Sequence, residues 1–289
     1  MKRVIVTGAT GYIGRNFIKK LLENNCEIYA FVHEISSLWA NKENVHEIVC
    51  PMECYKEISE KFIDKKIDTF YHFAWQGTAG KERTNYNWQL KNVQYVCDAA
   101  FLAKSIGCRR FIATGTITEN VARQTLEKKY SAQNLIYGLS KLYAHNLLDI
   151  ICRNSGLEYV WAQLSNIYGG DNSTGNLISY ILNEWKHDRV PTFGSCNQPY
   201  NFTHIDDVVE ALYLIGSVNN VNSEYVISNG DVRKLKDFLT ELSEIYKKPI
   251  AIGKREDDGI VYEKNWFDNS RLIELGYKRI IKNLQKESM

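Results

Sequence analysis

Apolar residues recur along the chain in two rhythms. Short apolar runs stand at 3–7, 27–32, 45–49, 69–73, 110–114 and 157–164. Runs of that length predict strands, and 3–7, apolar and β-branched, reads as a buried one. Longer stretches between them keep a helical spacing, at 15–24, 87–105 and 137–154, the last closed by Gly156. Val93, Val96, Ala100 and Ala103 mark one face of the second stretch. Strand and helix alternate, which predicts the α/β class: a doubly wound parallel Rossmann sheet with helices on both faces. Right-handed crossovers then place a ligand at the carboxyl ends of the strands.

Beyond Leu164 the rhythm changes. Residues 168–173 are turn-rich, and three of the four prolines (191, 199, 249) lie in this last part. Residues 1–165 are therefore read as the Rossmann domain. Residues 166–289 are read as a smaller C-terminal substrate-binding domain, with 204–216 returning to the first as a short strand and helix. Asp206 and Asp207, just before that helix, read as a cap.

The first strand breaks into Gly8-Ala9-Thr10-Gly11-Tyr12-Ile13-Gly14 and then a helix. Gly8 permits the sharp turn, Gly11 lets a pyrophosphate approach the backbone, and Gly14 lets helix and strand pack closely. Free amides at the helix start face the anion. The second motif is Tyr137-Gly138-Leu139-Ser140-Lys141. Residues four apart share a helix face, so the Lys141 ammonium is expected beside the Tyr137 phenol. There it would lower the phenol's pKa toward the range of an acid/base catalyst.

Composition removes competing readings. The net charge is +2 and the basic residues are scattered, so nothing points to nucleic acid or an anionic membrane. No apolar run is long enough to span a bilayer, and the chain starts directly into a strand, which reads as lacking a signal peptide. Seven dispersed cysteines form no Cys-x-x-Cys pair and read as reduced thiols of a cytoplasmic protein. No cluster has metal-ligand spacing. His72 reads as structural, and His145 and His187 as solvated.

The two motifs together resemble the short-chain dehydrogenase/reductase superfamily. The Thr-Gly-x-x-Gly-x-x-Gly form at 7–14 is similar to its extended branch, the NAD-dependent nucleotide-sugar epimerases, dehydratases and reductases. The likeness runs nearly the whole length. It includes 111–116, ending at Thr116, Asn92 of the long helix, 164–169, 201–209, 268–271 and 275–277. The resemblance implies that Tyr137 exchanges a proton with the sugar hydroxyl or carbonyl, that Thr116 hydrogen-bonds the same oxygen, and that Lys141 holds the nicotinamide ribose. It implies cofactor contacts from Gly8, Thr10, Gly11, Tyr12, Ile13 and Gly14, from His33 and Ser36, from Phe73 and Ala74, and from Asn92, Tyr137 and Lys141. Substrate contacts fall on Trp75, Thr116, Asn166 and Asn201. It also implies a two-fold homodimer through the two long helices, whose apolar residues occupy more than one face.

Departures from the family pattern narrow the function. Its dehydratases carry Asp-Glu after the catalytic Thr, where this chain has Ile117-Thr118, and neither does that proton work. Glu119 falls one position late and is expected to point elsewhere. Cys50-Pro51-Met52 replaces a Gly-Asp-x, so an adenine contact from Asp is missing. Trp75 brings bulk where the family has a small residue, either to shape the nicotinamide or sugar pocket or to fill core. Val32 and His33 stand where NAD enzymes place an Asp or Glu for the ribose 2′-hydroxyl, so NADP(H) is expected rather than NAD(H). The expected function is NADPH-dependent reduction of the C4 keto group of a nucleotide-activated 4-keto-6-deoxyhexose. The alternative is a nucleotide-sugar 4-epimerase with tightly bound NAD, and a third reading is a non-catalytic sensor of dinucleotide redox state.

Overall fold

The structure, a computed structural model, describes residues 1–62, 64–128, 135–170, 175–257 and 260–284. The first half runs β1 (Arg3–Thr7), α1 (Tyr12–Glu23), β2 (Glu27–Val32), β3 (Val45–Val49), β4 (Thr69–His72), α2 (Tyr86–Ser105), β5 (Arg110–Thr116), α3 (Thr118–Lys128) and α4 (Leu135–Ser155). After it come β6 (Glu158–Leu164), β7 (Asn166–Tyr168), α5 (Leu177–Lys186), β8 (Pro199–Tyr200), β9 (Phe202–His204) and α6 (Ile205–Ser217). The chain ends with β10 (Glu224–Ile227), β11 (Arg233–Lys234), α7 (Leu235–Tyr246) and α8 (Ser270–Glu274).

The main sheet is a seven-stranded parallel sheet in the order β3-β2-β1-β4-β5-β6-β10. Successive side chains feed opposite faces. Val4 and Val6 join Phe17, Ile18 and Leu21 of α1 and Val208 and Leu212 of α6 in one core. Ile5 turns the other way and joins Phe70, Phe111, Val96 and Ala100 of α2 and Leu148 of α4 in a second core. This two-sided burial is why the central strands β1 and β2 read as apolar runs.

The expected division of the chain moves. Strand β9, just before α6, pairs with β7 outside the main sheet, whereas α6 packs in the first core and β10 pairs with β6 in the main sheet. Tyr225 and Ile227 are the reason: both are buried in the first core and cover that edge of the sheet. The second lobe is built from the pairs β7·β9 and β8·β11 with α5 and α7. Its own core holds Trp185, Phe202, Phe238 and Leu239. Among the described residues no helix is long and apolar enough to cross a membrane.

Asp207 is not a cap. His204 caps α6, its Nδ1 accepting the Asp206 amide at 3.2 Å. The Asp207 side chain is fully buried and accepts from the Tyr277 hydroxyl (2.9 Å) and from the amides of Ile280 (2.7 Å) and Ile281 (3.3 Å). It ties the C-terminal segment to α6. Removing a buried acceptor leaves its donors unpaired. Asp207→Ala should therefore cost about 2–4 kcal/mol, read as a lower urea midpoint. A midpoint within error of the parent would contradict this account.

Candidate active site

The cradle forms where β1 ends. Gly8 adopts φ of 64°, a region a side chain rarely enters, and a Cβ there would stand 2.7 Å from the Ala74 amide nitrogen. A Cβ on Gly14 would overlap the Gly8 carbonyl. Gly11 is the N-cap of α1 and makes no side-chain cap bond, and the first turn carries no acidic residue. The open amides and the positive helix end thus face the cleft, and they fit a dinucleotide pyrophosphate.

A cleft of about 900 Å³ runs along the carboxyl ends of the strands. At one end Phe31, Val32, His33, Cys50 and Met52 line it; at the other Asn166, Asn176, Leu177, Tyr200 and Tyr262 do. Among its described lining residues none is Asp or Glu. The end lined by Phe31, Val32, Cys50 and Met52 offers apolar contacts where the sequence lacks a carboxylate.

In the middle stand Thr116, Tyr137 and Lys141. Their arrangement differs from the helical-face expectation. The Lys141 ammonium donates to the Thr114 carbonyl oxygen at 2.7 Å and lies 3.7 Å from the centre of the Trp75 ring. Burial pushes Lys141 down to about 7. The cation against the Tyr137 ring is Arg83, at 4.0 Å. Even so the phenol is not lowered: burial pushes it up to about 12, with Arg83 opposing the shift. Thr116 Oγ1 shares a 3.0 Å hydrogen bond with Thr118 Oγ1, and an Arg83 N–H reaches Thr118 Oγ1 at 3.5 Å.

Of the residues expected from sequence, Gly8, Thr10, Gly11, Tyr12, Ile13, Gly14, His33, Phe73, Ala74, Trp75, Thr116, Tyr137, Lys141 and Asn166 line this one cleft. Three do not. The Asn92 side chain clamps the backbone of Gln76, accepting its amide at 2.9 Å and donating to its carbonyl at 2.8 Å. Asn201 is fully buried and donates to Asn229 Oδ1 and the Asp231 carbonyl. Ser36 Oγ accepts the Leu38 amide and caps a short 3-10 turn. These three polar groups shape loops instead of facing a ligand.

Trp75 belongs to the pocket; its indole N–H donates to Gln89 Oε1 at 2.8 Å, which fixes the ring under Lys141. His72 is buried with Nδ1 3.0 Å from Thr7 Oγ1, and burial drives it down to about 3. His145 is not solvated: its ring stacks on Trp161 at 4.8 Å, because α4 presses it against β6. Sequence reasoning missed Arg83, which sits on a short 3-10 helix, Gly80–Thr84, too short for any periodicity to flag it. It also missed α3, whose polar sequence hides the buried Val121, Ala122 and Thr125.

The sequence profile of the NAD dependent epimerase/dehydratase family matches residues 4–228. A Methanocaldococcus jannaschii protein provisionally named as a UDP-glucose 4-epimerase is 25% identical, covering 95% of this chain and 92% of its own. The CDP-abequose synthase of Salmonella muenchen is 23% identical, covering 97% of each. Among solved structures, a UDP-glucuronic acid 4-epimerase from Bacillus cereus, in complex with UDP-glucuronic acid and NAD, superposes with a TM-score of 0.78 at 19% identity. That superposition covers 97% of this chain and 95% of the other. The likeness at that identity is one of fold.

The burial of Lys141 has a measurable consequence. Its folded value near 7 lies below the ordinary 10.5. Between those values the unfolded chain binds the extra proton, so stability rises with pH across the window, and the full penalty is present below about 7. Lys141→Met, which cannot titrate, isolates this dependence: relative to it the parent should gain stability by roughly 1–3 kcal/mol between pH 7 and pH 10, followed by thermal melts. A difference between the two that stays constant across that window would contradict the buried-charge account.

Proposed function

The chain belongs to the NAD dependent epimerase/dehydratase family, and from that premise we propose that it reduces the C4 keto group of a nucleotide-activated 4-keto-6-deoxyhexose, using NADPH. The observation that carries the reading is the meeting of Thr116, Tyr137 and Lys141 in one cleft beside the glycine cradle. When bound, the dinucleotide supplies the hydride. The chain's own residues do the rest. The glycine turn and the α1 amides hold the pyrophosphate, and Lys141 holds the nicotinamide ribose. Tyr137, kept protonated by its burial, gives its proton to the C4 oxygen. Thr116 hydrogen-bonds that oxygen and aligns it. Ile117 and Thr118 stand where elimination would need an acid and a base, so the keto sugar must come from another enzyme.

NADPH is favoured by the cleft's adenine end. Val32 is buried, His33 is exposed, and none of the described lining residues is a carboxylate that would repel a 2′-phosphate. The 4-epimerase reading has its own support, since relatives named or provisionally named as 4-epimerases match over nearly the full chain. A sensor without turnover is disfavoured by an intact Tyr137 and Lys141. We further propose a two-fold homodimer. Tyr86, Leu90 and Phe101 form an exposed stripe on α2, and Tyr143 and Ile150 one on α4.

Three outcomes are expected. Offered dTDP-, GDP-, CDP- and UDP-4-keto-6-deoxyhexoses, the protein should consume NADPH with at least one, and Tyr137→Phe should lose about 10²-fold or more in rate. Interconversion of UDP-glucose or UDP-N-acetylglucosamine, with no NADPH consumed on the first panel, would make it an epimerase. Calorimetry should show tighter binding of NADPH than NADH; equal or tighter NADH refutes the cofactor assignment. Light scattering at micromolar concentration should return a dimer mass, and a monomer would end that proposal.

A further inference from the structure

Glu119 takes no part in the steps above, yet it is a fully buried carboxylate directly behind the catalytic strand. Its Oε1 accepts the Thr116 amide at 2.7 Å and the Trp161 indole N–H at 3.2 Å, and its Oε2 accepts the same indole at 3.1 Å. His145 Nδ1 is 3.6 Å from Oε2, with its ring stacked on Trp161. The cluster presses against the backbone it supports. A Cβ on Gly115 would lie 2.6 Å from Glu119 Oε1 and would overlap the Trp161 indole nitrogen, so only glycine fits before Thr116. The Lys141 ammonium lies 5.8 Å from the centre of the Trp161 ring.

We infer that Glu119 is a positioning residue with two roles: its carboxylate pins the Thr116 backbone from behind, and it is the counter-charge of the Lys141 ammonium. The inference rests on the reading that Lys141 holds the nicotinamide ribose. Lys141 is faced by Arg83 from the turn after β4, by His72 at the end of β4, and by Tyr137 one turn earlier on α4. His145, one turn later, and Tyr159 on β6 face Glu119 itself. Of the charged groups acting on Lys141, Arg83 opposes its protonation and Glu119 favours it. Burial already holds Lys141 near 7. Without the Glu119 charge the ammonium would lose its proton at a lower pH, and the ribose its cationic partner.

Two substitutions separate the roles. Glu119→Gln keeps an acceptor for the Thr116 amide and removes the charge. Glu119→Asp keeps the charge and is one methylene too short to hold the amide. The readout is the affinity for NADPH between about pH 5 and pH 9.5 by titration calorimetry, with NADH as the control lacking a titrating 2′-phosphate; no sugar substrate is required. In the parent, affinity should fall as pH rises through about 7. In Glu119→Gln that midpoint should move down by about one pH unit. In Glu119→Asp it should stay in place. A Glu119→Gln curve parallel to the parent, weaker by the same factor at every pH, would reduce Glu119 to a structural part and overturn the inference. Should Glu119→Gln fail to fold, Glu119→Ala, which also removes the charge, decides: a lowered midpoint supports the charge role, and an unmoved one overturns it. If the parent itself shows no fall in affinity, the Lys141 reading and this inference fall together. A parental midpoint matched by Glu119→Gln sinks the inference alone.

Discussion

The site depends on one constraint: an ammonium group held out of water. An ordinary surface lysine needs nothing from its neighbours, whereas Lys141 is buried and must be stabilised by the protein around it. Its partners are a carbonyl, Thr114, and two indole faces, Trp75 and Trp161. A ring face helps a cation only if the ring is held in place. Both rings are held through their N–H groups, Trp75 by Gln89 on α2 and Trp161 by Glu119 on α3. The requirement then spreads outward. Gln89 must also close the loop after β4, which it does by donating to the carbonyls of Gly77 and Glu82. Position 115 must be glycine, because the Trp161–Glu119 contact passes under it.

That chain of dependence explains which parts of the molecule were legible in the sequence. The strands β1 and β2 begin and end where the apolar runs do, because burial on both faces leaves no polar position between their end residues; the edge strand β3 also lies at its expected bounds, with His46 exposed. The polar helix α3 was invisible because its buried surface is narrow and its content of Arg, Gln, Glu and Lys reads as solvated. Strand β10 was missed for a different reason. Its pairing with β6 is fixed by contacts more than sixty residues away, and no local pattern records that.

At the site, the glycine turn was legible because each glycine answers a backbone demand that sequence spacing encodes. The Tyr137–Lys141 pair was legible as a pair and misread as a geometry. Sharing a helix face sets where two Cβ atoms point, but a lysine has four further carbons with which to reach elsewhere. Here it reaches Thr114, and the neighbouring cation is supplied by Arg83 from a loop. Asn92 and Asn201 were misplaced for a related reason. An amide side chain serves a backbone turn as readily as a ligand, and both ended in loops: Asn92 closes on Gln76 and Asn201 on Asp231.

The electrostatics of the cleft bear on the direction of the chemistry. Desolvation acts on Tyr137 and Lys141 in opposite senses on the pKa scale, and in both it favours the neutral form. A neutral phenol is a proton donor. Around it stand Arg83, Lys141 and the open amides of α1, with no Asp or Glu among the described residues of the wall. Such a surface stabilises negative charge that appears during a reaction, and a keto oxygen acquires that charge as hydride reaches its carbon. An epimerase would use the same groups in both half-reactions, so the dyad alone does not divide the two activities. Retention of the cofactor does divide them, since an epimerase must keep what a reductase must exchange. The cleft wall beside Val32 and His33 carries Phe31, Cys50 and Met52 and no carboxylate among the described residues, so a dinucleotide lying there would be held by apolar contact and by the amides of α1 and not by a carboxylate on its ribose.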